Sequence, residues 1–215
     1  MTLQNRVDPY GQLQAVAARG HWMGNRGVLH DTEKRIVAFS RSPRWITCAL
    51  DYKGIRREVF SPNRYSELFF LDEATSLAAG HRPCAECRRK RYEAFLAAWA
   101  AGNGGPEAPH AGDIDRTLQA ERVQRGGVKR TFEAELSSLP DGTLLDLGGH
   151  PYLYWGGGLR PWSFAGYGTA ENRVPSEINV KVLTPKSIVR AIRAGFLPQV
   201  HESAGRKVSG KEASC

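Results

Sequence analysis

The chain has 215 residues and a mass of 23.8 kDa, with 30 Lys and Arg residues against 22 Asp and Glu and a formal net charge of +8. Because 41% of the residues are hydrophobic and 24% are charged, the composition excludes a mostly disordered chain and predicts one compact domain, or one with a small appendage. No early apolar stretch is long enough for a signal peptide, and no later run approaches the roughly 20 apolar residues of a membrane span. The sequence therefore predicts a cytoplasmic protein that does not enter a membrane.

The first third of the chain carries strand signals followed by two helices. Runs of β-branched and aromatic residues at 27–30, 35–39, 44–50 and 57–60, separated by turn-forming residues, predict an antiparallel meander. A helix is expected to begin at Asp72 and to end at Gly80, where glycine accepts a left-handed cap. A second helix is expected over residues 87–101, because Phe95 and Trp99 recur on one face with helical spacing.

The rest of the chain is punctuated by glycine and proline. Residues 102–112 have the composition of a linker, and a third helix is expected from Asp113 to just before Gly126. Strand signals return at 143–147, 152–155 and 178–183, and a last helix is expected over 186–194. The predicted fold class is α+β: a meander with a helix, a cysteine-containing knuckle (residues 82–87) and a helix in residues 1–101, a helix and a β-rich portion in residues 113–202, and a disordered polar tail over 203–215.

Two of the four cysteines form the most specific motif. Cys84 and Cys87 have CxxC spacing directly after Pro83. In a reducing compartment cysteines are thiols or metal ligands, and two thiolates at this spacing can converge on one tetrahedral ion, for which zinc is the usual occupant. A redox CxxC is the alternative, but this pair follows a helix rather than a strand of a βαβ unit. The motif therefore predicts a zinc site.

The segment from Phe69 to Cys87, with Ala79-Gly80-His81-Arg82-Pro83-Cys84-Ala85-Glu86-Cys87 at its end, resembles the second half of the metal-binding module of Ada-type DNA repair proteins. The resemblance covers roughly 20 residues. It implies that Cys84 and Cys87 bind zinc and that Arg82 and the following basic run face DNA. In that family four cysteines hold the zinc, and a zinc-bound thiolate accepts a methyl group from a DNA phosphotriester.

The first half of the family's pattern is missing here. Residues 47–70 contain only Cys48 where the family has a pair of cysteines, so methyl transfer to a thiolate is not expected. If four ligands hold the zinc, the economical completion is Cys48 with His30, both in the predicted meander. The alternatives stay open: Cys48 is a buried small residue, and His30 caps a turn.

Basic and aromatic residues supply a predicted interface with DNA. The excess of positive charge favours a polyanion, and the cations are clustered around the knuckle and around Gly126-Gly127. Aromatic residues near an arginine in the segment 160–168 could stack a base, although core packing is the alternative. The predicted nucleic-acid contacts are Arg82, Arg88, Arg89, Arg91, Arg125, Lys129, Arg130, Asn25, Arg26, Trp162 and Tyr167.

Catalytic candidates are carboxylates in basic surroundings. Asp113, Asp115 and Glu121 lie on the third predicted helix, with simple surface pairs as the alternative for each. A phosphate-binding surface, a base-stacking slot and a carboxylate that activates water are the parts needed to excise a base from DNA. The sequence thus predicts a zinc-containing DNA glycosylase-like hydrolase acting on damaged or modified DNA, with no obligate protein partner. A non-enzymatic DNA-binding module and a metal-dependent nuclease, using His30, Asp31 or His110 with Asp113, are the alternatives.

Overall fold

A computed structural model describes residues 2–54, 58–105, 109–124, 126–171, 175 and 177–205. The described residues form strands and helices in the following chain order: β1 (Arg6–Val7), β2 (Leu13–Gln14), β3 (Trp22–Asn25), β4 (Ile46–Cys48), β5 (Leu68–Phe70), α1 (Glu73–Ala78), β6 (Arg82–Pro83), α2 (Arg89–Asn103), α3 (Ala111–Arg122), β7 (Phe132–Glu135), β8 (Thr143–Leu147), β9 (His150–Trp155), β10 (Gly158–Ser163), β11 (Gly166–Tyr167), β12 (Asn179–Val182) and α4 (Lys186–Arg193). The predicted α+β class is confirmed, and Cys84 and Cys87 of the cysteine cluster lie between α1 and α2, whereas Cys48 ends β4.

Two six-stranded sheets organise the molecule. The N-terminal sheet has the order β2-β1-β5-β3-β4-β6, with parallel pairs at β1–β5 and β4–β6. The C-terminal sheet has the order β11-β10-β9-β8-β12-β7, and all of its pairs are antiparallel. The two sheets share one core, because Leu71 and Ala74 beside and within α1 pack with Leu144, Leu153 and Trp155 of β8 and β9.

Strands in the N-terminal half are shorter than the sequence predicts. Residues 44–50 contain β4, but the runs at 27–30 and 35–39 keep only an isolated bridge between His30 and Ile36. The Asp31 carboxylate accepts the backbone N–H groups of Glu33 and Arg35 and so fixes a tight turn instead of a longer hairpin. Of the run at 57–60, residue 57 lies outside the described part of the chain and residues 58–60 are not a strand.

The helices lie close to their predicted positions. Asp72 caps α1 by accepting the Thr75 N–H, and Gly80 ends it at φ +90°, where an added Cβ would lie 2.6 Å from the Arg122 Cβ. Helix α2 buries Phe95 and Trp99 against Ile188 and Ile192 of α4 and Leu118 of α3.

Parts of the predicted linker and of the predicted tail are ordered. Helix α2 extends to Asn103 and α3 begins at Ala111, so ordered helix occupies both ends of the 102–112 segment. Residues 203–205 of the predicted tail are ordered, because Ala204 is fully buried in a short 3-10 helix and the Ser203 hydroxyl accepts the Tyr167 N–H. The rest of the predicted tail, residues 206–215, lies outside the described residues. Within the described ranges, no helix is both long and apolar enough to cross a bilayer.

Candidate metal centre and adjoining cavity

The edge of the N-terminal sheet brings the third cysteine to the CxxC pair. Cys48 is the last residue of β4, and β4 pairs in parallel with the two-residue strand β6 that precedes Cys84. The Cys84 N–H donates to the Thr47 carbonyl at 2.9 Å, which fixes the register. Pro83 is tolerated in β6 because this strand lies at the edge of the sheet. Cys48 and Cys84, which are 36 positions apart in the sequence, are therefore placed side by side by the pairing of β4 with β6.

The three sulfur atoms form one compact group. Their Sγ atoms all lie within 4.8 Å of one another, and they are the one such group of potential ligands among the described residues. The Ala49 N–H points at the Cys87 Sγ at 3.4 Å, and the Glu86 N–H points at the Cys84 Sγ at 3.5 Å. Backbone N–H groups directed at sulfur stabilise the thiolate form that binds a metal.

This donor set fits a metal ion. Sulfur atoms that share a tetrahedral zinc are about 3.8 Å apart, given Zn–S bonds near 2.3 Å, and the observed upper limit of 4.8 Å is compatible with that spacing. Hydrogen bonds from Cys48 and Cys87 lower the pKa of Cys84 to about 2, whereas the hydrogen bond to Cys84 raises the pKa of Cys48. Three thiols this close therefore compete for protons, and a cation relieves that competition.

His30 is not part of this group. Its Nδ1 lies 2.6 Å from the Ser66 Oγ, its Nε2 lies 3.3 Å from the Ser61 carbonyl, and its ring stacks on Phe60 with 4.5 Å between centroids. The expectation of His30 as a zinc ligand is therefore replaced by a structural role: the imidazole fixes the segment that contains Ser61 and Ser66. The described residues supply three ligands, Cys48, Cys84 and Cys87.

A cavity of about 400 Å³ adjoins the three cysteines. Strands β3, β4 and β5, the knuckle, and the segment between β4 and β5 all contribute to it. We call that segment, residues 49–54 and 58–67, the cavity loop. The lining residues are Met23, Asn25, Ile46, Cys48, Ala49, Leu50, Tyr52, Val59, Tyr65, Glu67, Phe69, Cys84, Glu86 and Cys87.

The cavity loop is held in an unusual conformation. Phe60 has φ +60°, which bulky residues rarely adopt, and Lys53 and Asn63 also have positive φ. The Glu67 carboxylate accepts the Phe60 N–H at 2.9 Å, and His30 stacks on the Phe60 ring. Such strained backbone persists only where the surrounding contacts enforce it, and it is common at ligand-binding sites.

The knuckle arginine Arg82 does not face solvent. Its Nε and Nη2 donate to both carboxylate oxygens of Asp115 at 2.8 Å each, and the side chains of both residues are about 5% exposed. This bidentate pair joins β6 to α3 beside the metal ligands. Arg82 is therefore not available as a DNA contact, and Asp115 is not available as a catalytic carboxylate.

Two further arginines of the basic run pair with the buried carboxylate of Glu73, although 24% of the Arg91 side chain is exposed. Arg88 is 7% exposed, contacts Glu73 at 2.7 Å and lies over the Trp22 ring at 3.8 Å. Arg91 contacts the same carboxylate at 2.6 Å and lies over Phe196. Arg89, in contrast, is exposed and pairs with Glu93 on its own helix. Of the predicted knuckle contacts to DNA, the structure leaves Arg89 on the surface.

The basic residues around Gly126-Gly127, and the separate predicted contact Arg26, likewise include both buried and exposed side chains. Arg26 and Arg122 are both fully buried and lie on Trp45, 3.8 and 3.9 Å from the centre of its ring. The Lys129 ammonium donates to the Ala78 carbonyl, whereas Arg130 is exposed and donates to the Val123 carbonyl. Arg125 lies outside the described residues. The predicted DNA contacts Arg26 and Lys129 are therefore replaced by roles in packing.

The predicted aromatic slot is filled by the protein itself. The Trp162 indole donates to the Thr75 hydroxyl at 3.0 Å, and the Tyr167 hydroxyl donates to Asp72, the cap of α1, at 2.7 Å. Both contacts attach the C-terminal sheet to α1. The core-packing alternative thus describes Trp162 and Tyr167, while the remaining predicted contact, Asn25, lines the cavity.

The two other catalytic candidates lie away from the cysteines. Glu121 accepts the Ser187 N–H at 2.9 Å and its hydroxyl at 2.5 Å near the start of α4, and Asp113 is an exposed partner of Arg116. Both line a separate cavity of about 290 Å³ between α2, α3 and α4. Glu67, which the sequence analysis missed, is the buried carboxylate at the cysteine cavity.

Comparison with protein-family models, with curated proteins and with solved structures finds no match for this chain. The Ada-type resemblance of the knuckle therefore remains a sequence resemblance. Tyr52 and Tyr65, which lie in the cavity loop within 17 positions of Cys48, are the sequence signal that could have indicated a binding site there.

Proposed function

We propose that this protein is a zinc-containing hydrolase that acts on DNA and removes a damaged or modified base. The observation that carries the proposal is that all three candidate zinc ligands line one cavity of about 400 Å³. This volume lies within the range of about 300–1,000 Å³ that is typical of small-molecule sites. An extruded nucleobase is a flat ring that enzymes hold between aromatic side chains, and Tyr52, Tyr65 and Phe69 line this cavity.

The set of three candidate ligands among the described residues favours an active zinc over one that serves only as a scaffold. Structural zinc sites are closed by four protein ligands, whereas catalytic sites have three protein ligands and keep one position for another molecule. The described residues provide three cysteines, which all belong to the lining of the cavity. A base bound in the cavity would therefore lie beside the metal site.

The charge around the cavity loop supports DNA as the partner. Exposed cations lie within three residues of lining residues: Lys53 follows Tyr52, Arg64 precedes Tyr65, and Lys90 follows Cys87. Lysine and arginine at such positions can neutralise phosphates on either side of an extruded nucleotide. These residues take the place of Arg82, Arg88 and Arg91, which pair with the buried carboxylates of Asp115 and Glu73, as the proposed phosphate contacts.

Base excision is the hydrolysis of an N-glycosidic bond. The oxygen of water forms a bond to C1′, the C1′–N bond breaks, and the base leaves with the electron pair and takes up a proton. A carboxylate accepts the proton of the attacking water. Glu67 is the proposed proton acceptor, because it is 3% exposed, lines the cavity and is oriented by the Phe60 N–H.

The test is formation of abasic sites. Zinc-loaded protein is incubated with duplexes that carry alkylated, deaminated or hypermodified bases, and alkali-dependent strand breaks are measured. We expect breaks at the modified base, at least a hundredfold fewer with Glu67→Gln, and no change with the matched variant Glu121→Gln. Zinc content and duplex binding are measured for each variant, so that a folding defect is recognised.

The other outcomes select the alternatives. No product from any of the duplexes, with zinc bound and duplex binding intact, would exclude excision and leave a non-enzymatic DNA-binding module. Strand breaks that need added divalent metal but no alkali would identify a nuclease instead.

A further inference from the structure

Two histidines from distant parts of the chain meet at the protein surface. His21 immediately precedes β3, and His201 lies in the segment that follows α4. Their rings are in edge-to-face contact, with 4.7 Å between the centroids and 83° between the ring planes. His21 is exposed and His201 is half-buried, so both rings can be reached from solvent. Neither histidine belongs to the group of three cysteines.

Backbone hydrogen bonds hold both histidines against one short segment of the chain. The His21 N–H donates to the Phe70 carbonyl at 2.8 Å, and the His201 N–H donates to the Asp72 carboxylate at 3.0 Å. Phe70 ends β5, and Asp72 caps α1 and also accepts the Tyr167 hydroxyl. The two imidazoles are therefore brought together before any ligand binds, which lowers the entropic cost of binding.

The separation of the two rings fits a shared metal ion. At the usual metal–nitrogen distance of about 2.0–2.1 Å, two imidazoles on one ion have ring centres about 4.5–5.2 Å apart, for angles at the ion of about 90–109°. The observed distance between the His21 and His201 centroids, 4.7 Å, lies in this range. Neutral imidazole is a good ligand for divalent zinc, copper and nickel.

The second nitrogen of the His201 ring has the partner that a metal ligand needs. Its Nδ1 lies 2.7 Å from the Ser203 Oγ, and that oxygen is fixed because it accepts the Tyr167 N–H at 2.8 Å. Metal-binding histidines are oriented by a hydrogen bond from the ring nitrogen that does not bind the ion. When Nε2 binds an ion, Nδ1 carries the proton and donates it to Ser203 Oγ, in place of the 3.3 Å contact that it accepts from the Ser203 N–H.

A cavity of about 380 Å³ adjoins the pair, and both rings line it. It is separate from the cysteine cavity, because the two linings have no described residue in common. A water molecule occupies about 30 Å³ in the liquid, so this volume accommodates an ion together with its water ligands. Asp72 also lines the cavity, but its two oxygens already accept hydrogen bonds from Thr75, Tyr167 and His201. Asp72 is therefore a positioning residue and not a ligand.

We infer that His21 and His201 form a second metal site, which binds a divalent transition-metal ion such as Zn²⁺. Within the described part of the chain, the cysteines are the one group of three or more potential ligands, so two imidazoles and water molecules hold this second ion. The ion joins the start of β3 to the segment after α4. The inference does not rest on base excision or on the proposed role of the cysteines.

The test is a zinc titration of the full chain. The protein is first loaded with zinc and dialysed, so that tightly bound zinc remains, and further Zn²⁺ is then added during calorimetry. We expect one additional ion per chain. Because this ion binds the folded chain, the unfolding midpoint should rise as the zinc concentration increases. Absence of an additional ion would overturn the inference.

Variants locate the additional ion. His21→Gln and His201→Gln each remove one imidazole and keep the backbone N–H that anchors the residue, so we expect at least tenfold weaker binding of the added zinc. His150→Gln, at another exposed histidine, is the control and should bind it as the wild type does. The tightly bound zinc and the unfolding midpoint without added zinc are measured for each variant, so that a folding defect is recognised. Undiminished binding in both His21→Gln and His201→Gln, or an equal loss in His150→Gln, would contradict the inference.

The inference and the proposed function fail in different ways. If the histidine variants lose the added ion but no duplex yields abasic sites, the second metal site stands and base excision does not. If abasic sites form and the histidine variants bind zinc as the wild type does, base excision stands and the second metal site does not.

Discussion

The two sheets of this protein are stabilised by different means. The C-terminal sheet has strands of up to six residues and antiparallel pairs throughout, so its backbone hydrogen bonds and apolar side chains define it. The N-terminal sheet has strands of two to four residues and mixed pairing, and buried charged side chains surround it. Those side chains include Arg26, Arg82, Arg88 and Arg122. The irregular sheet is the one that carries the cysteines and the cavity.

The difference shows what a binding site requires of a scaffold. Short strands leave long connections, and one of these forms the outer part of the cavity. Pairs of short strands also form few backbone hydrogen bonds. The site therefore needs side-chain contacts with other helices and strands. The Arg82–Asp115 pair and the contacts of Glu73 with Arg88 and Arg91 supply them.

Removal of the metal should have the largest effect on stability, and the loss of stability should be confined to the N-terminal sheet. We expect Cys84→Ser to lose zinc and to lose amide protection in β4 and β6, because the metal would join Cys48 of β4 to the cysteines that follow β6, and the free energy of metal binding then contributes to folding. Protection in β8 and β9 should persist. Metal analysis and hydrogen exchange measure this, with Ala85→Ser, an exposed change in the same knuckle, as the control. Unchanged zinc content in Cys84→Ser would contradict the assignment.

Breaking the buried ion pair should be the next largest effect. Arg82→Ala leaves the Asp115 carboxylate buried without its partner, which should destabilise the fold by about 3–5 kcal/mol in denaturant unfolding. Replacing both residues, as in Arg82→Met with Asp115→Leu, should recover most of the loss. The exposed Arg89→Ala serves as the control and should change stability by less than about 1 kcal/mol. An equal loss of stability in Arg82→Ala and Arg89→Ala would contradict the distinction between the buried and the exposed ion pair.

A cavity made in the C-terminal sheet should affect stability without affecting the metal. Leu153 is fully buried in β9, so Leu153→Ala should lower the free energy of unfolding by about 2–5 kcal/mol. Zinc content should stay at the wild-type level at temperatures below the transition. A parallel loss of zinc would mean that the two sheets do not differ in the way described above.

The smallest expected effect is a pH dependence from Lys129. Desolvation, with repulsion from Arg26, lowers the pKa of Lys129 to about 7 from an ordinary value of 10.5. Between these values the unfolded chain binds more protons than the folded one, so this lysine makes stability rise with pH from about 7 to 10.5. Lys129→Met should flatten that rise, measured as the unfolding midpoint against pH. An unchanged slope would contradict the lowered pKa.

Local sequence signals gave good predictions where local interactions decide the structure. The boundaries of β8 were predicted to the residue, and α4 differs by one residue, because alternating or helical hydrophobic patterns coincide there with clear turn residues. The strands β1, β2, β3, β5, β6, β7, β10 and β11 were not predicted. Most of these are short or contain glycine and proline, so their formation depends on neighbouring strands rather than on their own composition.

The sequence by itself indicated a thiol site, since the CxxC spacing predicted Cys84 and Cys87 as ligands and the count of ligands added Cys48 together with His30. Only the tertiary structure decided the roles of the charged residues around them. An arginine in a basic run has the same local signal whether it meets phosphate or a buried carboxylate, and Arg82 meets Asp115 across 33 positions of chain. His30 likewise binds Ser66 rather than metal, and Glu67 becomes a cavity residue through the backbone of Phe60. These contacts depend on long-range packing, which spacing along the chain does not encode.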